Sequence, residues 1–213
     1  MKPLVVAVDP TVTVDPAVAD SAGMLDETVW IGLVPVTGSQ LSRTVRGLRT
    51  EERKVAAEEL RQAGALLRLE ASHAQGMHVR QRLMGAAIEV AELGNTVAAG
   101  QSSLAQTQEV AARALLALSE HHRNQAGTSL RAKRTVLAGR SLAQASREMR
   151  DAYEFSGLSV GADTDKVLDE ARAAGERLEG DGSEAALQVA EGALTALRRD
   201  AIRLENALGA RRR

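Results

Sequence analysis

The sequence predicts an all-α protein. A long antiparallel, coiled-coil-like helical hairpin is expected over residues 39–157 and two shorter helices over 163–210, behind a small non-helical or mixed arm at 1–38. Three observations carry this reading. Ala, Leu, Arg and Glu are abundant among the 213 residues, and all are good helix formers. Aromatic residues are reduced to Trp30, Tyr153 and Phe155, so buried area has to come from Leu and Ala meeting along narrow seams. All four prolines (Pro3, Pro10, Pro16 and Pro35) precede residue 39, leaving the remainder free of the residue most hostile to a helix interior.

The arm is rich in Val, and residues 4–8 and 29–36 read as short strands, because β-branched runs bounded by Pro and Gly favour extended backbone. Between them Val18, Ala22, Leu25 and Val29 also fit a helical spacing, and the two readings stay open. From Leu41 onward the apolar residues follow helical periodicity. Leu41, Val45, Leu48 and Val55 open a stripe that Leu60, Ala63, Leu67, Ala74, Met77, Met84, Ile88 and Ala91 continue. A second run holds Leu104, Ala111, Leu115 and Leu118 and resumes at Leu130, Leu137, Ala145, Met149 and Ala152. One straight helix of this length would exceed about 150 Å at 1.5 Å per residue. A reversal is therefore required. Gly94-Asn95 through Gly100-Gln101-Ser102-Ser103 is the best place for it, with Gly127-Thr128 second, since Gly and Asn end helices and Ser caps them. The glycines at 47, 64, 76 and 85 mark close helix approach or local bends, and the sequence does not choose between these.

Ser156-Gly157 and Gly161-Ala162 close the hairpin. Asp163 or Thr164 is then expected to cap a helix containing Val167, Leu168, Ala171 and Leu178. Gly180-Asp181-Gly182 reads as a turn and Ser183 as the next N-cap. The last helix carries a heptad seam, Leu187, Ala190, Leu194, Leu197, Ala201, Leu204 and Leu208, at alternating spacings of three and four. Such a seam needs a partner helix, supplied by the chain's own hairpin or by another subunit.

Charge is unevenly spread. Residues 1–38 carry one basic and five acidic residues, 39–150 carry 17 and 10, and 151–213 carry 9 and 13. Within the basic middle, Arg123, Arg131, Lys133, Arg134, Arg140, Arg147 and Arg150 face only one acid, Glu148. Such a stretch suits lipid or nucleic-acid phosphate, or it is a solvated face that pairs with the protein's own acidic ends.

Motifs for chemistry are missing. Without Cys there is no disulfide, thiolate chemistry or Cys-ligated zinc. Glu70-Ala-Ser-His73 has the Glu-x-x-His spacing of helical metal sites but lacks a second copy. Glu120-His121-His122 offers a general base with no nucleophile or acid converging on it. Gly139-Arg-Ser141-Leu-Ala143 lacks the second glycine of a nucleophile elbow. The run from Asp163 to Asp169 lacks the Gly and Glu of a calcium loop. The expectation is a protein that is not an enzyme, with no catalytic residues, no metal, no cofactor and no small-molecule substrate. Few aromatics leave no stacking platform for single strands, although duplex backbone contact fits the charge. No apolar run approaches the roughly 18 residues of a membrane span, and the first ten residues lack a signal-peptide cleavage site, so a cytoplasmic location is expected.

The layout, together with Gly100-Gln-Ser-Ser-Leu104-Ala105 near the reversal, resembles the phage-shock protein A family, bacterial relatives of the ESCRT-III membrane-remodelling proteins. The run from Lys166 to Arg172, leading to Gly175-Glu176-Arg177-Leu178-Glu179-Gly180, is similar to that family's fourth helix. Ser102 and Ser103 stand where the family has acids, Gln108 and Glu109 where it has Ala-Leu, and the acidic arm where it has an amphipathic membrane helix. The resemblance implies a homo-oligomeric scaffold that polymerises and meets anionic membrane at its inner face. Arg123 to Arg150 would then face phosphate. Two alternatives are an oligomeric helical DNA-binding protein using the same basic stretch, and a discrete bundle that docks a partner.

Overall fold

The computed structural model of the chain describes residues 37–45 and 53–210, and every regular element among them is an α-helix. Helix α1 is described over residues 37–45. It is followed by α2 (Arg53–His73), α3 (Met77–Ala98), α4 (Leu104–Arg131), α5 (Thr135–Ser156), α6 (Ala162–Gly180) and α7 (Glu184–Ala210). The strands expected at 4–8 and 29–36, together with Leu48 and Arg211, Arg212 and Arg213, lie outside the described residues. Thr37 and Gly38, at the edge of the expected arm, are helical and buried.

The backbone explains each reversal. Gly100 (φ 70°) sits in the turn between α3 and α4, and the Ser103 side chain caps α4 by accepting from the Gln106 amide. The expected reversal near residues 94–103 is therefore found there. Two others divide the expected long arms. Gly76 (φ 92°) turns α2 into α3, and residues 132–134 turn α4 into α5, with Lys133 held at φ 58°. A left-handed conformation costs a non-glycine residue on the order of 1–2 kcal/mol. Gly127-Thr128, the second candidate break, is uninterrupted helix inside α4. Gly157 (φ 64°) closes α5. The caps expected of Asp163 or Thr164 are displaced, because Gly161 is the N-cap of α6 and Asp163 lies in its first turn. Ser183 does cap α7, accepting from the Ala186 amide.

From α2 to α7 each helix packs against the next, as the short connections between them favour. In the α2–α3 pair a Cβ on Gly64 would lie 3.0 Å from the Ala87 carbonyl oxygen, and one on Gly94 2.9 Å from that of Ala57. In the α5–α6 pair Gly139 and Gly175 face each other so closely that a side chain on either would overlap the other's carbonyl. Leu60, Leu83, Leu115, Leu118, Leu142 and Met149 are fully buried, each worth about 1.5–3 kcal/mol of burial.

Helix α7 packs on α4, α5 and α6. From its seam Ala190, Leu197, Leu204 and Leu208 are buried, and Leu187, Leu194 and Ala201 are half-buried against the same core. One expected stripe is corrected. Met77, Met84 and Ile88 are exposed, and α3 buries Val79, Leu83, Ala87, Val90 and Leu93 instead. The stripe was carried in phase through Gly76, but the turn there resets the phase of the next helix. Val55 and Leu104, at the first turns of α2 and α4, are exposed as well. No helix among the described residues is long and apolar enough to cross a membrane.

Candidate functional site

The seven basic candidates do not form one face. Arg140 and Arg150 turn toward α6, where Arg140 meets Glu179 at 3.4 Å and Arg150 meets Asp165 at 2.6 Å and Asp169 at 2.9 Å. These two follow the self-pairing reading. Arg131, Lys133 and Arg134 cluster at the exposed α4–α5 turn, with Arg131 donating to the Thr128 hydroxyl at 3.1 Å. Arg147 is exposed on α5.

Arg123 is different. It is half-buried in a cleft between α3, α4 and α7 that His78, Arg82, Glu120, Asn124, Arg198 and Glu205 help to line. Arg82 spans the two carboxylates there, at 2.8 Å from Glu120 and 3.2 Å from Glu205. The Arg123 Nε is buried without a hydrogen-bond partner among the described residues. Burial lowers the Arg123 pKa, Glu120 partly offsets that, and repulsion from Arg198 lowers it further. Sequence reasoning picked out Arg123 but not Arg82 or Arg198, which come from helices distant in the chain.

A second constellation lies inside the bundle. Glu70 of α2, His121 and His122 of α4 and Glu148 of α5 are all buried, and His122 is completely enclosed. His122 Nδ1 stands 2.6 Å from Glu148 Oε2, and Gln144 donates to Glu148 Oε1 at 3.0 Å. Gly38 of α1 lies beside the same carboxylate, and a Cβ added there would stand 2.9 Å from Oε1, so a larger residue would push the Glu148 side chain aside. On its other side His122 Nε2 faces Glu70 Oε2 at 4.0 Å. Neither Glu70 oxygen has a well-aligned hydrogen-bond partner among the described residues, although the Thr37 hydroxyl lies close enough to favour the carboxylate weakly. His122 Nε2 has none either.

The electrostatics follow from that enclosure. Burial raises Glu70 to about 7, with His122 drawing it down and Glu148 pushing it up. Burial lowers His121 to about 3, and neighbouring His122 adds to the fall. For His122 burial favours the neutral ring, yet the Glu148 charge and hydrogen bond outweigh it, so its pKa is raised. Among the described residues, Glu70, His121 and His122 each offer one ligand atom within 4.8 Å of the others.

The sequence coupled Glu70 with His73, but His73 is exposed at the end of α2. It also set Glu120 beside the two histidines, whereas Glu120 turns outward to Arg82. A usable signal was present: His122 falls four residues after Leu118 on the buried stripe of α4, where a solvated histidine has no place.

A comparison with protein-family models, curated proteins and solved structures finds no match for this chain.

Proposed function

We propose that the chain is a non-enzymatic helical module that binds a phosphate-bearing partner in the cleft between α3, α4 and α7. The carrying observation is that Arg82, Arg123 and Arg198, from three different helices, line one cleft in which the buried Arg123 Nε has no hydrogen-bond partner among the described residues. A dianionic phosphate bound there would give that Nε an acceptor and share its charge with the other cations of the cleft. The cleft adjoins a groove partly walled by Ala86, Leu116, Ala117 and Leu208, and the two share Arg82, Leu116 and Glu205 in their walls. An apolar neighbour of this kind suits a phosphate with a hydrocarbon attached. The test is calorimetry with inorganic phosphate, beside flotation with phosphatidylcholine vesicles with and without phosphatidic acid. Binding that falls at least tenfold in the Arg123→Gln, Arg198→Gln double variant supports the reading. Binding unchanged in that variant, or absent from the wild type in both arms, overturns it. Duplex DNA serves as a third arm for the nucleic-acid alternative, and retention that follows Arg131, Lys133 and Arg134 instead of Arg123 would favour that alternative.

Self-assembly is a second reading, favoured by the row of Met77 (75% exposed), Met84 (39%) and Ile88 (46%) along one face of α3. The seam on α7 contributes less to it, because α4, α5 and α6 already cover much of that helix. Light scattering on a sizing column decides. Large assemblies that an Ile88→Lys change disperses would support a scaffold, while a monodisperse monomer would remove it.

A further inference from the structure

We propose that Glu70, His121 and His122 form a buried site for a divalent transition-metal ion of the zinc type, with Glu148 orienting His122. Four observations converge on it, and none depends on the phosphate cleft.

The first is a set of buried ligand atoms left without aligned partners. Both Glu70 oxygens and His122 Nε2 are enclosed with no well-aligned hydrogen-bond partner among the described residues. His122 Nε2 and Glu70 Oε2 nevertheless face each other, while Nδ1 of the same ring is engaged by Glu148. The separation of 4.0 Å is too long for a shared proton to bridge. A metal ion supplies what both lack.

The second is distance. Nitrogen and oxygen ligands bind zinc at about 2.0–2.2 Å, which sets neighbouring ligand atoms of a tetrahedron about 3.3 Å apart. The three candidate atoms lie within 4.8 Å of one another, so closing the set requires a contraction of about 1–1.5 Å between ligand atoms. The third is ligand chemistry. Two imidazoles and one carboxylate suit a borderline ion such as zinc better than calcium or magnesium, which prefer oxygen.

The fourth is the second layer of contacts. A metal-bound histidine commonly donates its other N–H to a carboxylate, which fixes the tautomer and strengthens the ligand. His122 and Glu148 have that arrangement at 2.6 Å, and Gln144 holds the other oxygen of Glu148 at 3.0 Å. A histidine that only filled space would not need its partner held so closely. Glu148 is thus a positioning residue, and Glu70, His121 and His122 are the ligands.

The experiment uses the full chain, stripped with a chelator and titrated with cobalt(II), then with zinc. One equivalent of cobalt is expected to give a visible d–d spectrum for a low-coordinate nitrogen and oxygen site, zinc should abolish it, and either ion should raise the melting temperature. His122→Gln and Glu70→Gln should remove the spectrum while circular dichroism remains helical. Glu148→Gln should keep the stoichiometry and weaken affinity about 10–100-fold. A paired His73→Gln, His78→Gln variant should bind as the wild type does, because both side chains are exposed. The site is overturned if the wild type shows neither a spectrum nor a thermal shift. It is equally overturned if the spectrum survives loss of His122 and Glu70 but disappears with His73 and His78.

Discussion

The α2–α3 pair and the α4–α5 pair solve the same problem, two antiparallel helices in contact, with opposite chemistry. Between α2 and α3 the buried contacts are dry in the sense of apolar, and close, with backbone near backbone at Gly64 and Gly94, and the Arg61–Asn95 hydrogen bond lies at the exposed rim. Between α4 and α5 it is threaded with polar groups. Ser119 donates to the Ala145 carbonyl at 2.8 Å, and His122, Gln144 and Glu148 form a connected, buried chain. Leucine and alanine could fill that space at lower cost, since replacing buried ion pairs by apolar groups is often neutral or stabilising. The dry pair therefore serves stability, and the polar pair keeps an arrangement that stability alone does not require.

The largest expected effect comes from breaking the polar pair on one side. In metal-free protein Glu148→Leu should cost about 3–5 kcal/mol, because it strands a buried imidazole. The double change His122→Leu, Glu148→Leu should recover most of that loss. Urea denaturation of the two variants measures the difference, and an equal loss in both would mean that shape, not polarity, holds this interface.

Glu70 gives the next effect, with the opposite sign. Its folded pKa of about 7 lies above the ordinary value of 4.5, so the folded protein binds more protons than the unfolded chain between those limits. Stability must then fall as pH rises through that window. Glu70→Gln, kept in chelator, removes the slope and should be more stable than the wild type at pH 8 by roughly 3 kcal/mol, at about 1.4 kcal/mol per pKa unit. Melting curves from pH 5 to 8 check this. A variant that lowers metal affinity while raising apo stability would mark Glu70 as kept for binding.

The smaller effects belong to the dry pair. Gly94→Val should destabilise by about 1–3 kcal/mol through overpacking against the Ala57 carbonyl. Gly85→Ala, with nothing within 4 Å of the added carbon, should stabilise α3 by about 0.5–1 kcal/mol. Equal and small effects at both positions, in chemical denaturation, would show that the close approach at Gly94 is not needed.

Much of this fold was legible. Helix-forming composition, absent proline after Pro35, and the Gly and Ser signals at Gly100, Ser103, Gly157 and Ser183 placed helices and several turns where they occur. The turn at Lys133 was not legible, because a lysine in left-handed backbone leaves no compositional mark. The phase of α3 was misread because Gly76 looked like a tolerated glycine within a helix when it is a turn. The buried centre was legible only in fragments. Its residues are separated by about fifty positions between Glu70 and His122 and by 26 between His122 and Glu148, and no local spacing rule links them. Only the order of helix packing brings them together.

That order has a consequence for how the molecule is made. Each of α3 to α7 packs on the helix before it, so most of the structure grows from neighbours in sequence, a topology that folds quickly. A chain leaving the ribosome can pair α2 with α3 before α4 is complete. Glu70 then waits, already seated on its helix, for a histidine from α4 and a carboxylate from α5. The interior centre is thus completed only when α5 arrives, and a nascent chain that has not yet released residue 148 carries its first helices without it.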